Sequence, residues 1–110
     1  MIHAVGPDYH TYADHGDADA DLYRAYTASM VRARELGART VGFSMLSSGV
    51  FRGPRSLCEV LAIGARAVRD GSYPGLEKVF LIGFTETEVV ALQEVVAALD
   101  DVPLLASSSE

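Results

Sequence analysis

Two serines and a glycine stand where an apolar run gives way to a helical pattern: Ser47-Ser48-Gly49-Val50-Phe51. A turn of that kind can aim successive backbone N–H groups at one point. The dipole of the following helix adds to the pull on an anion. Gly49 leaves out the Cβ where a phosphate would approach closely. Many strand-to-helix turns contain Ser and Gly, so the residues alone leave an ordinary turn as the commoner outcome. Phe84 ends a second apolar run just before a helix cap. It could stack on a base, a contact of roughly 1–3 kcal/mol on nucleic acids, or simply close the core.

Other chemistry is weaker. His10 and His15 share a loop with Asp8, Asp14 and Asp17, which reads as a solvated acidic loop before it reads as a metal site. We predict no metal and no cofactor. Ser47 and Ser48 lack the G-x-S-x-G elbow of a nucleophilic serine. Cys58 sits beside Leu57 and reads as a small core residue. No catalytic residue is identified.

The elements that must position these residues follow from hydrophobic spacing. Met1–Pro7 predicts a strand, stopped by Gly6-Pro7, and Asp8–Asp19 a long loop. Leu22, Tyr26, Met30, Ala33 and Leu36 mark a helix opening at Asp19 or Ala20, with Gly37 as its left-handed stop. Thr40–Leu46 predicts a strand. A helix begins near Pro54, with Ser56 and Glu59 as an alternative capping box, and buries Leu57, Leu61, Ala65 and Val68 before Gly71 ends it. Val79–Phe84 predicts a strand covered on both faces. Thr85 and Glu88 form a capping box for a last helix carrying Val89, Leu92, Val96 and Leu99. Residues 103–110 are expected to be a C-terminal tail. Strand and helix alternate, which implies an α/β fold with a mostly parallel sheet.

The chain has 110 residues, 49% hydrophobic and 22% charged, with one Cys and a net charge of −6. One domain with one core fits that length. The single Cys excludes an intrachain disulfide and suits a reducing compartment. The charge argues against nucleic acid or an anionic membrane held by bulk charge. No apolar run approaches the roughly 20 residues of a spanning helix. A cytoplasmic protein is expected.

Four blocks together resemble a known family. His3-Ala-Val-Gly-Pro7 is similar to the H-x-V-G-P strand end of macro domains, the ADP-ribose-binding α/β/α module. Leu22–Leu36 is similar to its following helix, Phe43–Phe51 to its second phosphate loop, and Val79–Phe84 to its last parallel strand. The resemblance covers about residues 2–100 and is to the C-terminal half only. It implies a truncated three-layer α/β/α fold over residues 1–102. The family's N-A-A-N and triple-glycine motifs and most of its catalytic residues would be missing. It further implies that Ser47, Ser48, Gly49, Val50 and Phe51 surround the diphosphate and distal ribose, and that Phe84 stacks on adenine. Ser44 stands where the family usually has Pro, and Arg52-Gly53 where Gly precedes an aromatic. Arg52 could crowd the loop or reach a phosphate.

The expected function is therefore binding of ADP-ribose or a related nucleotide, with enzymatic activity uncertain and the balance against it. The alternatives are an ADP-ribosyl hydrolase or ADP-ribose phosphatase completed from elsewhere, and a structural fragment without a ligand. A strand absent from the centre of the sheet would favour a homodimer or a complementing chain.

Overall fold

The computed structural model describes residues 2, 4–49, 52–83, 85–98 and 104–108, the last stretch for its backbone alone. A short 3-10 turn at Tyr9–Thr11 leads into helix α1 (His15–Glu35), strand β1 (Thr40–Ser44), helix α2 (Leu57–Asp70), strand β2 (Lys78–Gly83), helix α3 (Glu86–Ala97) and strand β3 (Leu104–Ser108). The strands lie side by side in the order β1-β2-β3, all parallel. This is a mixed α/β fold with a small parallel sheet flanked by helices.

Register decides which side chains share a face. Val41 pairs with Val79 and Phe43 with Leu81, so these four project from the same side. Phe43, Val79 and Leu81 are buried there, while Phe80 and Ile82 on the opposite face are half-buried. The helices contact one another in chain order, α1 against α2 and α2 against α3.

Several expectations change. Residues 4–8 and Ile2 form no strand, because among the described residues they pair with no neighbouring strand. They run beside α1 instead, and Val5 is 84% exposed. The first helix starts at His15, earlier than its apolar stripe suggests, because the Asp14 carboxylate accepts from the Gly16 N–H at 2.7 Å and caps it. Ser56 caps α2 by position alone, with no side-chain hydrogen bond. Leu36 follows the end of α1 and is exposed, and Cys58 is exposed on the first turn of α2 rather than in the core. The Leu104–Ser108 stretch of the expected tail adds β3, because its backbone pairs with Val79–Gly83. Its serine-rich end had masked that capacity.

Other features match. The Thr85 hydroxyl accepts from the Glu88 N–H at 3.1 Å and Glu88 Oε2 from the Thr85 N–H at 3.3 Å, closing the capping box. Gly37 is left-handed at φ 69°. Leu22, Tyr26, Met30 and Ala33 are buried on α1, and Leu61, Ala65 and Val68 on α2. Gly71 does end α2, but at φ −86°; its importance is close packing, since a Cβ would lie 2.7 Å from Met30 Cβ.

Helices α1 and α2 also meet closely at Gly64. A Cβ there would fall 2.7 and 2.8 Å from the Tyr26 ring and 2.9 Å from Met45 Cε. Within a helix Ala is favoured over Gly by about 1 kcal/mol, whereas overpacking a core costs about 1–3 kcal/mol. Gly64→Ala is therefore expected to lose up to about 2 kcal/mol net, measured by denaturant unfolding. A stabilised variant would show that α1 and α2 are not packed this closely.

Candidate functional site

The turn after β1 is held from several directions. The Tyr26 hydroxyl, reaching from α1, accepts from the Leu46 N–H at 2.7 Å and lies 4.0 Å from Met45 Sδ. Its ring packs on Phe43, centroids 5.4 Å apart. Burial pushes the Tyr26 phenol well above its ordinary range, so it stays a neutral acceptor. Ser47 takes a left-handed φ of 56°, uncommon for a residue with a side chain. Its hydroxyl donates to the Pro7 carbonyl at 2.6 Å. A Cβ at Gly6 would sit 2.5 Å from Ser47 Oγ, so the glycine there is what allows this approach.

Ser48 is buried, and its hydroxyl donates to Glu88 Oε1 at 2.8 Å, with the Met45 carbonyl at 3.3 Å. Glu88 thus joins the loop to the start of α3 through one carboxylate, since its other oxygen completes the capping box. Gly83 lets β2 end against that helix: a Cβ would lie 3.0 Å from Glu88 Cβ and 3.1 Å from the Val89 nitrogen. Both serine hydroxyls are therefore used inside the protein. Met45 to Ser48 form a turn, and among the described residues the N–H groups of Ser47 and Gly49 donate to no acceptor. Gly49 is exposed, and among the described residues nothing apart from its chain neighbours lies within 4 Å of where its Cβ would be.

Beyond the loop, the Arg52 N–H donates to the Gly49 carbonyl at 3.1 Å. The Arg52 Nε is buried, with no hydrogen-bond partner among the described residues. Gly53 is left-handed at φ 59° and lies against Tyr9 and His10. Arg55 then grips Asp19 on α1 with two hydrogen bonds, 3.2 Å from Nε and 2.7 Å from the terminal nitrogen, and also pairs with Glu59. The Tyr9 hydroxyl donates to the same Asp19 at 2.6 Å.

Of the residues the sequence singled out, Ser47, Ser48 and Gly49 stand together on this loop; Val50, Phe51, Phe84 and His3 lie outside the described residues. The acidic loop serves as local caps: Asp8 accepts from His10, and Asp14 caps α1. Among the described residues no group of His, Cys, Asp and Glu is arranged to hold a metal ion. Sequence reasoning missed Tyr26, Pro7 and Glu88 as supports of the loop. Only Glu88 carried a signal, since a capping-box carboxylate has a second oxygen free to bond elsewhere.

A strand leading through a braced loop into a helix is a recurring arrangement of α/β folds. The sequence profile of the macro domain matches residues 1–62, more than half of the chain, and the chain belongs to that family. A macro domain-containing protein of Chlorobaculum tepidum is 31% identical over 98 residues, covering 89% of this chain and 56% of its own length. One from Streptomyces nogalater is 48% identical over 54 residues, 49% of this chain and 28% of its own. A solved structure titled Alphavirus P23pro-zbd superposes with a TM-score of 0.70 at 25% identity, over 96% of this chain and 15% of that one. Over the longer alignments the chain spans about half the length of the curated relatives it matches. The expectation of a C-terminal half alone is corrected: the profile falls on the N-terminal 1–62 of this chain, and longer relatives match most of it. The family's distinctive blocks lie in that stretch, whereas β2 and α3 are apolar patterns that many α/β proteins share.

Among described residues no helix is long and apolar enough to cross a membrane.

The Asp19 cluster carries a pH prediction. Burial would raise the Asp19 pKa, but the hydrogen bonds from Arg55 and Tyr9 outweigh it and hold it below the usual carboxylate range. A lowered folded value means a stabilisation that is complete above the unfolded pKa of about 3.9 and is lost as pH falls through the folded value. The stability difference between the wild type and Asp19→Asn should be constant near neutral pH and shrink below about pH 4. Denaturant titrations across pH check this; a difference that does not change with pH would remove ionised Asp19 from the network.

Proposed function

We propose that this chain is an ADP-ribose-binding module of macro type. In this reading Ser47, Ser48, Gly49, Val50 and Phe51 surround the diphosphate and distal ribose, and Phe84 stacks on adenine. The observation that carries it is the loop's division of labour. Both serine hydroxyls are bonded inward, to Pro7 and Glu88, while Gly49 borders open space. Backbone amides are then the groups left to meet an anion. Arg52 adds support, because its buried Nε–H has no partner among the described residues and a phosphate oxygen would supply one. Membership in the family and the printed names of the relatives, macro domain-containing proteins, point the same way. The finer three-layer arrangement and a cytoplasmic location belong to the same reading.

Calorimetry with ADP-ribose tests it. Gly49 does not occupy the left-handed region and its surroundings are open, so a side chain there leaves the fold intact. Gly49→Glu should weaken binding at least about tenfold through steric block and like-charge repulsion, a loss of about 1.4 kcal/mol or more. Gly49→Ala should keep the wild-type melting temperature. An unchanged affinity in Gly49→Glu would remove this loop from the site, and absence of wild-type binding would refute the reading.

A further inference from the structure

The turns that feed β1 and β2 meet at the end of the sheet opposite the Ser47 loop, and a groove of about 310 Å³ lies between them. Arg34, Gly37, Ala38 and Arg39 line it from the α1–β1 side, and Tyr73 and Gly75 from the α2–β2 side. Three hydrogen bonds clamp the two turns together. The Tyr73 hydroxyl donates to the Ala38 carbonyl at 2.7 Å. The Arg39 carbonyl accepts from the N–H groups of Glu77 at 2.7 Å and Lys78 at 3.3 Å. Gly37 and Gly75 are both left-handed, at φ 69° and 98°. Among the described residues nothing apart from chain neighbours lies within 4 Å of where their Cβ atoms would be, so the groove stays open there.

We propose that this groove is a second anion site, separate from the Ser47 loop, and that it takes the dianion of a phosphate monoester. Its charge runs against that of the chain, which has 15 acidic and 9 basic residues. No carboxylate lines it. Among the described residues, Arg34 and Arg39 make no ion pair and no side-chain hydrogen bond. Of the nearest acids in sequence, Glu35 lies 3.9 Å from Arg32, and Glu77 is not part of the lining. Lys78, opposite Thr40 in the register, adds a third cation at this end of the sheet. A guanidinium is a planar fork that meets phosphate oxygens two at a time. Two such forks match the charge of a monoester, about −1.5 to −2 at pH 7, better than the single charge of a carboxylate or a nucleic-acid diester. The N–H groups of Arg39 and Gly75 donate to no acceptor among the described residues, so backbone donors stand beside the guanidinium groups. The C-terminal end of α1 would oppose an anion. Its Arg32, Ala33 and Arg34 carbonyls, however, already accept from the N–H groups of Leu36, Ala38 and Gly37. A cation at Arg34 suits the last turn of a helix in any case; Arg39 lies beyond the helix and has no such role. The five residues of β1, about 17 Å at 3.3 Å per residue, separate the groove from the Ser47 loop, so one phosphate cannot touch both.

Residue-resolved amide NMR of the 110-residue chain, titrated with glycerol 3-phosphate at low ionic strength, tests the site. Saturable shifts are expected at Gly37, Arg39 and Gly75, with acetate binding at least about tenfold more weakly. Arg34→Gln and Arg39→Gln should each weaken the phosphate ester about fivefold or more. Arg39→Gln should also keep the wild-type melting temperature, because its side chain bonds to nothing else among the described residues. A phosphoserine tripeptide carries the same group, and whichever ester binds more tightly names its source, a metabolite or a modified protein. Absence of saturation at these amides overturns the proposal, as does acetate binding equally well or indifference to Arg39→Gln. Shifts confined to Ser47, Ser48 and Gly49 overturn it in favour of the loop alone. No ADP-ribose is used and the two sites are read at different amides, so the outcome is independent of the ligand proposal.

Discussion

The hydroxyl of Tyr26 is the fixed point of this molecule. It meets the Leu46 N–H just beyond the last hydrogen-bonded residue of β1, where the chain leaves the sheet and its donors lose their ladder partners. An orphaned, partly buried N–H costs about 1–3 kcal/mol, so the tyrosine sets where the strand stops as well as satisfying a donor. The same ring fills the space that Gly64 leaves on α2 and rests on Phe43. One side chain thus settles the spacing of two helices, the end of a strand and the start of the loop.

The rest of the loop is built on that point by groups distant in sequence. Pro7 holds Ser47, Glu88 holds Ser48, and the Tyr9–Asp19–Arg55 cluster holds the exit toward α2. Supports come from before α1, from α1 itself and from the start of α3. A left-handed serine is costly in a free peptide, and here it persists because a backbone carbonyl accepts its hydroxyl and a glycine makes room. Preorganisation of this kind reduces what an incoming anion would have to order.

Local chemistry was legible in the sequence, and long-range pairing was not. The capping box at Thr85 and Glu88, the left-handed Gly37 and the α2 stripe at Leu61, Ala65 and Val68 need only near neighbours to be decided, and each is found, while Leu57 is half-buried. The segment before Pro7 has the composition of a strand, but a strand exists only with a partner, and among the described residues none stands next to it. The start of α1 was hidden because His15-Gly-Asp17 has poor helix formers, and a single Asp14 cap overrides them. Leu104–Ser108 shows the reverse case, a weak pattern recruited by the open edge of β2. For the site, Ser47, Ser48 and Gly49 were visible as a turn, while the roles of Tyr26, Pro7 and Glu88 depend on contacts spanning 20 to 40 residues.

Glu88 has one further consequence. Each strand pairs with the next in the chain, and each helix packs on the one before, so the molecule is a short stack that can open from one end. An opening that lifts α3 away takes the carboxylate with it and frees the Ser48 hydroxyl, 40 positions earlier. The loop's rigidity is thus thermodynamically linked to docking at the far end of the stack. Whatever stabilises α3 on β2 narrows the range of loop conformations, and an anion that ordered the loop would, by reciprocity, lower the population of the frayed α3.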